Sequence, residues 1–219
     1  IMWFLMSGIS FEYLLMRIAA ALVVVFLTLP IHEFSHAFVA NKLGDDTAKM
    51  LGRFSINPAL YFDPIGAACV LLFGFGWGKP APIGVSNFSN IRRDKALVCL
   101  AGPVSSFLCA FIGGFILNLF VAMGIASNWV YLFFSSFISI NLEIAVVNLI
   151  PLPSFDGWSI LEACMPKRLL RKFYSYQKAI SITLIILLLF GAFSIPINIL
   201  ERISYNFILK ITSLPFGKV

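Results

Sequence analysis

The chain has 219 residues, of which 60% are hydrophobic and 12% charged, with 23 phenylalanines and a mean hydropathy of +0.94. A soluble domain of this length cannot hide so much apolar surface, so composition excludes a soluble globular class and indicates an all-α protein built into a membrane. The net charge of +6 does not indicate nucleic acid, because Lys and Arg lie in short clusters between apolar runs and form no single basic face.

In chain order, the opening residues Ile-Met-Trp-Phe carry neither a basic n-region nor a small-residue cleavage site, and no signal peptide is expected. A helix needs about 20 apolar residues to cross a ~30 Å hydrocarbon layer. Four stretches supply them, roughly 12–40, 97–123, 129–150 and 179–200. A fifth apolar run, 65–78, is too short and breaks up in Gly74, Gly76, Gly78, Pro80 and Pro82. It reads as a re-entrant or cavity-lining segment followed by a short extended, β-like stretch. Such a stretch would offer an edge on which an unwound substrate could pair. The four cysteines, Cys69, Cys99, Cys109 and Cys164, have no disulfide-framework or metal-ligand spacing and read as small buried hydrophobes.

Twelve of the sixteen basic residues fall in two regions, 41–95 and 166–178, while the 124–128 loop carries no charge. The positive-inside rule makes the basic side cytoplasmic. Residues 166–178 interleave Lys and Arg with Leu169, Leu170, Phe173 and Tyr174, a pattern that suits either a short helix on the anionic inner leaflet or a plain basic loop. Ser106, Ala110 and Gly114 place a small residue at every fourth position, which is a signal for close helix packing. No stretch is polar enough to form a second domain, so residues 1–219 read as a single membrane domain, with 166–219 as its C-terminal amphipathic segment and last span.

The chain's two histidines, His32 and His36, stand four residues apart at the end of the first apolar run. On a helix they share one face one turn apart, so both imidazoles can reach one zinc ion. Glu33 lies about 100° round the helix and is placed to hold an attacking water. This is the H-E-x-x-H pattern. Structural roles for all three are the alternative, but ionisable groups inside a membrane helix are costly and point to function. Counted from Arg17, the histidines lie roughly 22 to 29 Å along the axis, near the cytoplasmic face. A catalytic zinc takes three protein ligands, and no third histidine exists, so a carboxylate must complete the set. Asp156, in NLIPLPSFDGW after the helix-breaking Pro151 and Pro153, is the candidate that differs from the loop acids Asp45, Asp46 and Asp94. A plain surface turn is the other reading of that stretch.

With HEFSH, the further blocks GRFSINPALYFDPIG, GFGWGKPAPI, LAGPVSSF and NLIPLPSFDGW stand in order between about residues 28 and 165. In these blocks the chain resembles the site-2 proteases, intramembrane zinc metallopeptidases, in their short bacterial form. The resemblance implies one zinc per chain with His32, His36 and Asp156 as ligands, Glu33 as the base, and Asn148 beside the metal to hydrogen-bond substrate or the developing oxyanion. It departs from the family where Tyr61 and Ser106 replace a frequent histidine and asparagine, and where Pro30 precedes His32. None of these departures is expected to touch the ligands or the base. Glu143, in mid-span, has no role carried over from the family; lining a watery cavity or pairing with a basic group are its readings.

The function expected is an intramembrane zinc endopeptidase of a bacterial inner membrane. Its partners would be the lipid bilayer and single-span substrates such as anti-sigma factors, membrane-held transcription factors or signal-peptide remnants. A metal transporter or metal-binding protein without protease activity is the second reading, and such a protein has no need for a base at Glu33.

Overall fold

The computed structural model describes residues 10–73, 76–153, 155–189 and 194–217. Helix α1 runs from Phe11 to Lys42. It starts at Ser10, whose hydroxyl accepts the Tyr13 N–H at 3.3 Å, with Glu12 in the first turn where the helix dipole favours an acid. Pro30 has no N–H to give, and the backbone answers with a π-helical turn over Val24–Thr28, in which the Leu29 N–H reaches back to Val24 O. The helix therefore continues through the proline, and the extra residue in the turn rotates the following face, His32 and His36 included, by about 100°. One side of α1 buries Ala20, Ala21, Val24, Val25 and Leu29, while Phe11, Leu15, Leu22, Phe26 and Leu27 stay exposed.

Two single turns, Thr47–Met50 and Pro58–Tyr61, lead to helix α2, Pro64–Phe73, whose first N–H groups at Ile65 and Gly66 are capped by the Asp63 carboxylate. Its 10 residues span only about 15 Å, too little to cross a bilayer. The chain then returns to its own start. A Cβ on Gly66 would lie 1.9 Å from Trp77 O, and the Lys79 N–H donates to Tyr61 O at 2.7 Å. Ala67 and Val70 pack into one core cluster with Ala20, Val24 and Ile144.

Helix α3, Ile91–Ala122, is capped by Asn90, which accepts from Arg93 N–H while its own N–H donates to Asp94. Its outer face carries Leu97, Leu100, Val104, Leu108, Ile112, Phe115 and Leu119, all exposed and apolar at helical spacing, as a lipid-facing surface requires. The opposite face is buried and built largely from small residues. Helix α4, Asn128–Leu149, follows a tight turn at Gly124 and runs back against α3. A Cβ on Gly113 would meet the Phe137 ring of α4 at 2.7 Å, so glycine sets how closely the two helices approach. Pro151 and Pro153 follow the end of α4, and α5, Asp156–Cys164, then packs against α3.

Helices α6, Lys167–Leu189, and α7, Ser194–Ser213, follow, and α7 packs on both α3 and α4. Among the described residues three helices, α1, α3 and α4, are long and apolar enough to cross a membrane. The fourth expected span, 179–200, takes in the last described residues of α6 and the first of α7, and its residues 190–193 lie outside the described set.

No strand is present among the described residues, which corrects the expected β-like stretch near the site. Residues 76–84 run without helix or ladder, and Pro80 and Pro82 remove alternate donors from one edge. Three of the other N–H groups go elsewhere: Lys79 to Tyr61 O, Ala81 to the Glu33 carboxylate and Gly84 to Asp45.

The α3–α7 contact depends on Gly114, where a Cβ would lie 2.6 Å from Ile208 Cγ2. Gly114→Leu should therefore overpack this seam and cost about 1–3 kcal/mol. The check is the midpoint of unfolding in mixed detergent, which should fall relative to wild type.

Candidate metal centre

His32 and His36 are buried on the inner face of α1, at 3% and 6% exposure, with their rings 4.9 Å apart between centroids. Each ring is oriented through Nδ1. His36 Nδ1 donates to Val98 O at 2.7 Å, and His32 Nδ1 lies 3.0 Å from Ser106 Oγ, both partners being on α3. A Nδ1–H committed in this way leaves the Nε2 lone pair free, which is the tautomer a metal ligand needs. Both Nε2 atoms point at Asp156 from α5. Its Oδ2 stands 3.3 Å from His32 Nε2 and 3.4 Å from His36 Nε2.

That carboxylate oxygen is buried yet makes no hydrogen bond, and the three donor atoms lie within 4.8 Å of one another. Two corners of a tetrahedron around zinc, with ligand bonds of about 2.0–2.1 Å, stand about 3.3 Å apart. The orphaned Oδ2, the two free Nε2 atoms and their spacing thus fit a zinc ion.

Two glycines make the approach possible. Gly102 of α3 lies against the imidazoles, and a Cβ there would fall 2.4 Å from His36 Nε2 and 2.5 Å from His32 Nε2. Gly157 lets the first turn of α5 press on the end of α4, where a Cβ would meet Leu149 O at 2.2 Å. The Asp-Gly pair is therefore the start of a helix and not a plain surface turn.

Glu33 is half-buried beside the ligand helix face, and its Oε2 accepts the Ala81 N–H at 2.8 Å. Asn148, in the last turn of α4, donates its amide to Ile144 O at 2.9 Å, and the ligand cluster forms without it. Glu143 forms an ion pair with Arg17 across α4 and α1 at 3.6 Å. Tyr61 is fully buried and donates its hydroxyl to Arg53 O at 2.6 Å; burial pushes its pKa up, which keeps it neutral.

Ser106 corrects the sequence reading on two counts. It is a departure from the family pattern that does touch a ligand, and a member of the small-residue stripe that does chemical work. Only its four-residue offset from Gly102 on the same face of α3 could have signalled this.

The chain is homologous to proteins described as zinc metalloproteases of unconfirmed activity. "Putative zinc metalloprotease YwhC" of Bacillus subtilis is 44% identical over 140 residues, covering 62% of this chain and 64% of that protein. "Putative zinc metalloprotease Rip2" of Mycolicibacterium smegmatis is 29% identical over 140 residues, covering 62% and 53%. "Putative zinc metalloprotease MJ0611" of Methanocaldococcus jannaschii is 30% identical over 132 residues, covering 60% and 63%. The chain thus spans between about half and two thirds of the length of these relatives. No family model matches it, and no solved structure matches at a significant level.

Two substitutions test the site. Gly102→Ala places a methyl where the Nε2 atoms stand, so zinc content of the purified protein should fall to near zero while helicity by circular dichroism is kept. Ser106→Ala removes only the partner of His32 Nδ1, and zinc affinity measured by chelator competition should weaken about 10- to 100-fold.

Proposed function

We propose that the chain is an intramembrane zinc endopeptidase that cuts transmembrane segments of single-span membrane proteins near the cytoplasmic face. The observation that carries this reading is the convergence of His32 Nε2, His36 Nε2 and Asp156 Oδ2, with Glu33 alongside, among helices long and apolar enough to cross a membrane. The names of the homologous proteins support a zinc metalloprotease. Clustering of basic residues in 41–95 and 166–178 supports a cytoplasmic placement of this end of the bundle, in a bacterial inner membrane. The short α2 and the return of the chain to Tyr61 support a re-entrant path for residues 64–79.

When bound, zinc lowers the pKa of a ligated water toward ~7 and polarises the scissile carbonyl. His32, His36 and Asp156 hold it through Nε2, Nε2 and Oδ2. Ser106 and the Val98 carbonyl fix the two ring planes. Glu33 is the proton carrier. The Ala81 N–H holds Oε2, which leaves Oε1 to take the proton of the attacking water and pass it to the departing amide nitrogen. Asn148 keeps one amide hydrogen and its Oδ1 after bonding Ile144 O, enough to hold a substrate carbonyl or the oxyanion that forms from it. Anti-sigma factors, membrane-held transcription factors and signal-peptide remnants are the substrate classes this chemistry suits.

Glu33→Gln separates a protease from a metal carrier. With a candidate single-span substrate co-reconstituted in vesicles, cleavage should fall by at least about 10²-fold with zinc content unchanged. Cleavage that persists in this variant would remove Glu33 from the chemistry and the reading with it.

A further inference from the structure

At the end of the bundle where α3 begins, helices α3, α5 and α6 line an open cavity of about 820 Å³. Three cations line it: Arg92 and Lys95 from the first turns of α3, and Arg171 from α6. One carboxylate, Glu162 of α5, faces them and is 7% exposed.

The carboxylate is already committed. It accepts Lys95 Nζ at 2.8 Å and Trp158 Nε1 at 2.5 Å, and a third hydrogen bond comes from the Tyr174 hydroxyl. Burial pushes Glu162 up, but Lys95 and Tyr174 hold it below the usual range, so it stays ionised and offsets one cation only. The cavity is left with an excess of two positive charges. Arg92 spends Nη1 on Met165 O at 3.0 Å and keeps its other N–H groups, while the Arg171 guanidinium makes no hydrogen bond or ion pair among the described residues.

The rest of the lining is mixed: Val85, Ile91 and Leu170 give it an apolar side, and Ser159, Ser175 and Tyr174 carry hydroxyls. A small soluble anion has no use for the apolar side, and a zwitterionic lipid would bring its own cation into a cavity that already holds surplus positive charge. An amphiphile carrying a net negative phosphate uses both, since a guanidinium fork matches phosphate oxygens and the apolar wall takes the start of an acyl chain. The cavity also stands where a lipid head would be, at one end of α3, a helix long and apolar enough to cross the membrane.

We propose that this cavity binds the headgroup of an anionic phospholipid. The site is separate from the metal centre, and the inference does not rest on proteolysis. Ser159 and Glu162 bring it to the same helix, α5, that carries Asp156.

The test is native mass spectrometry of the full chain in detergent, titrated with phosphatidylglycerol or phosphatidylcholine. Phosphatidylglycerol adducts should be retained in preference, and Arg92→Gln or Arg171→Gln should each weaken retention about fivefold. Arg171→Lys, which keeps the charge, should retain most of it. Arg168→Gln, on the same helix but outside the cavity, should change nothing. Equal retention of both lipids overturns the proposal. So does an equal loss in Arg168→Gln, which would mean diffuse surface charge, or loss in Arg171→Lys as large as in the Gln variant. Displacement of the lipid by inorganic phosphate at equal concentration would make this a site for a free anion and overturn it as well.

Discussion

The bundle is organised by the need to bring one carboxylate oxygen within about ligand-sharing distance of two imidazole nitrogens in its largely buried interior. In hydrocarbon a polar group left unpaired costs several kcal/mol, so every atom of this cluster must be spoken for. The structure meets that demand at each ring. Val98 O and Ser106 Oγ take the outer nitrogens, and Asp156 Oδ2 faces the inner ones. The remaining unsatisfied atom, Asp156 Oδ2, is the one at which a metal would supply the missing interaction.

Helix α3 does more of this work than the helix that carries the histidines. It packs on α1, α4, α5 and α7, and its buried face changes purpose along its length. Gly102 and Ser106 serve the imidazoles, one by giving room and the other by a hydrogen bond. Gly113 and Gly114, farther along, let α4 and α7 close in on a cluster around Ala110, Leu117, Ile138 and Ile208. One stripe of small residues thus forms both the back wall of the metal centre and the seam that holds the bundle shut.

The apolar runs and the H-E-x-x-H spacing were legible because both are periodic signals: helix length against membrane thickness, and i, i+4 on one face. The first, second and third spans appear as helices at nearly the expected bounds. The 179–200 run is described only in part, because residues 190–193 inside it lie outside the described set. The β-like stretch was misleading. Alternating prolines look extended, but Pro80 and Pro82 lack donors, and the Lys79, Ala81 and Gly84 N–H groups are already taken by other residues. At the site, His32, His36 and Asp156 came together as the motifs implied, whereas Ser106 and the Val98 carbonyl did not show in the sequence. A backbone carbonyl has no sequence signature, and a serine in a packing stripe looks the same whether its hydroxyl is used or idle.

The position of Asp156 joins these strands of the argument. It is the first residue of α5, where the aligned peptide dipoles favour a negative charge, so the ligand is held as the anion that a metal requires. Pro151 and Pro153 let the chain turn out of α4 to place that helix start beside α1, and Gly157 lets the first turn sit hard against Leu149 O. At the other end of the same short helix, Glu162 is fastened to Lys95 of α3 and to Tyr174 of α6. A nine-residue helix tied at both ends has little freedom to drift, and the carboxylate's place opposite the histidines is set by these ties rather than by the metal alone.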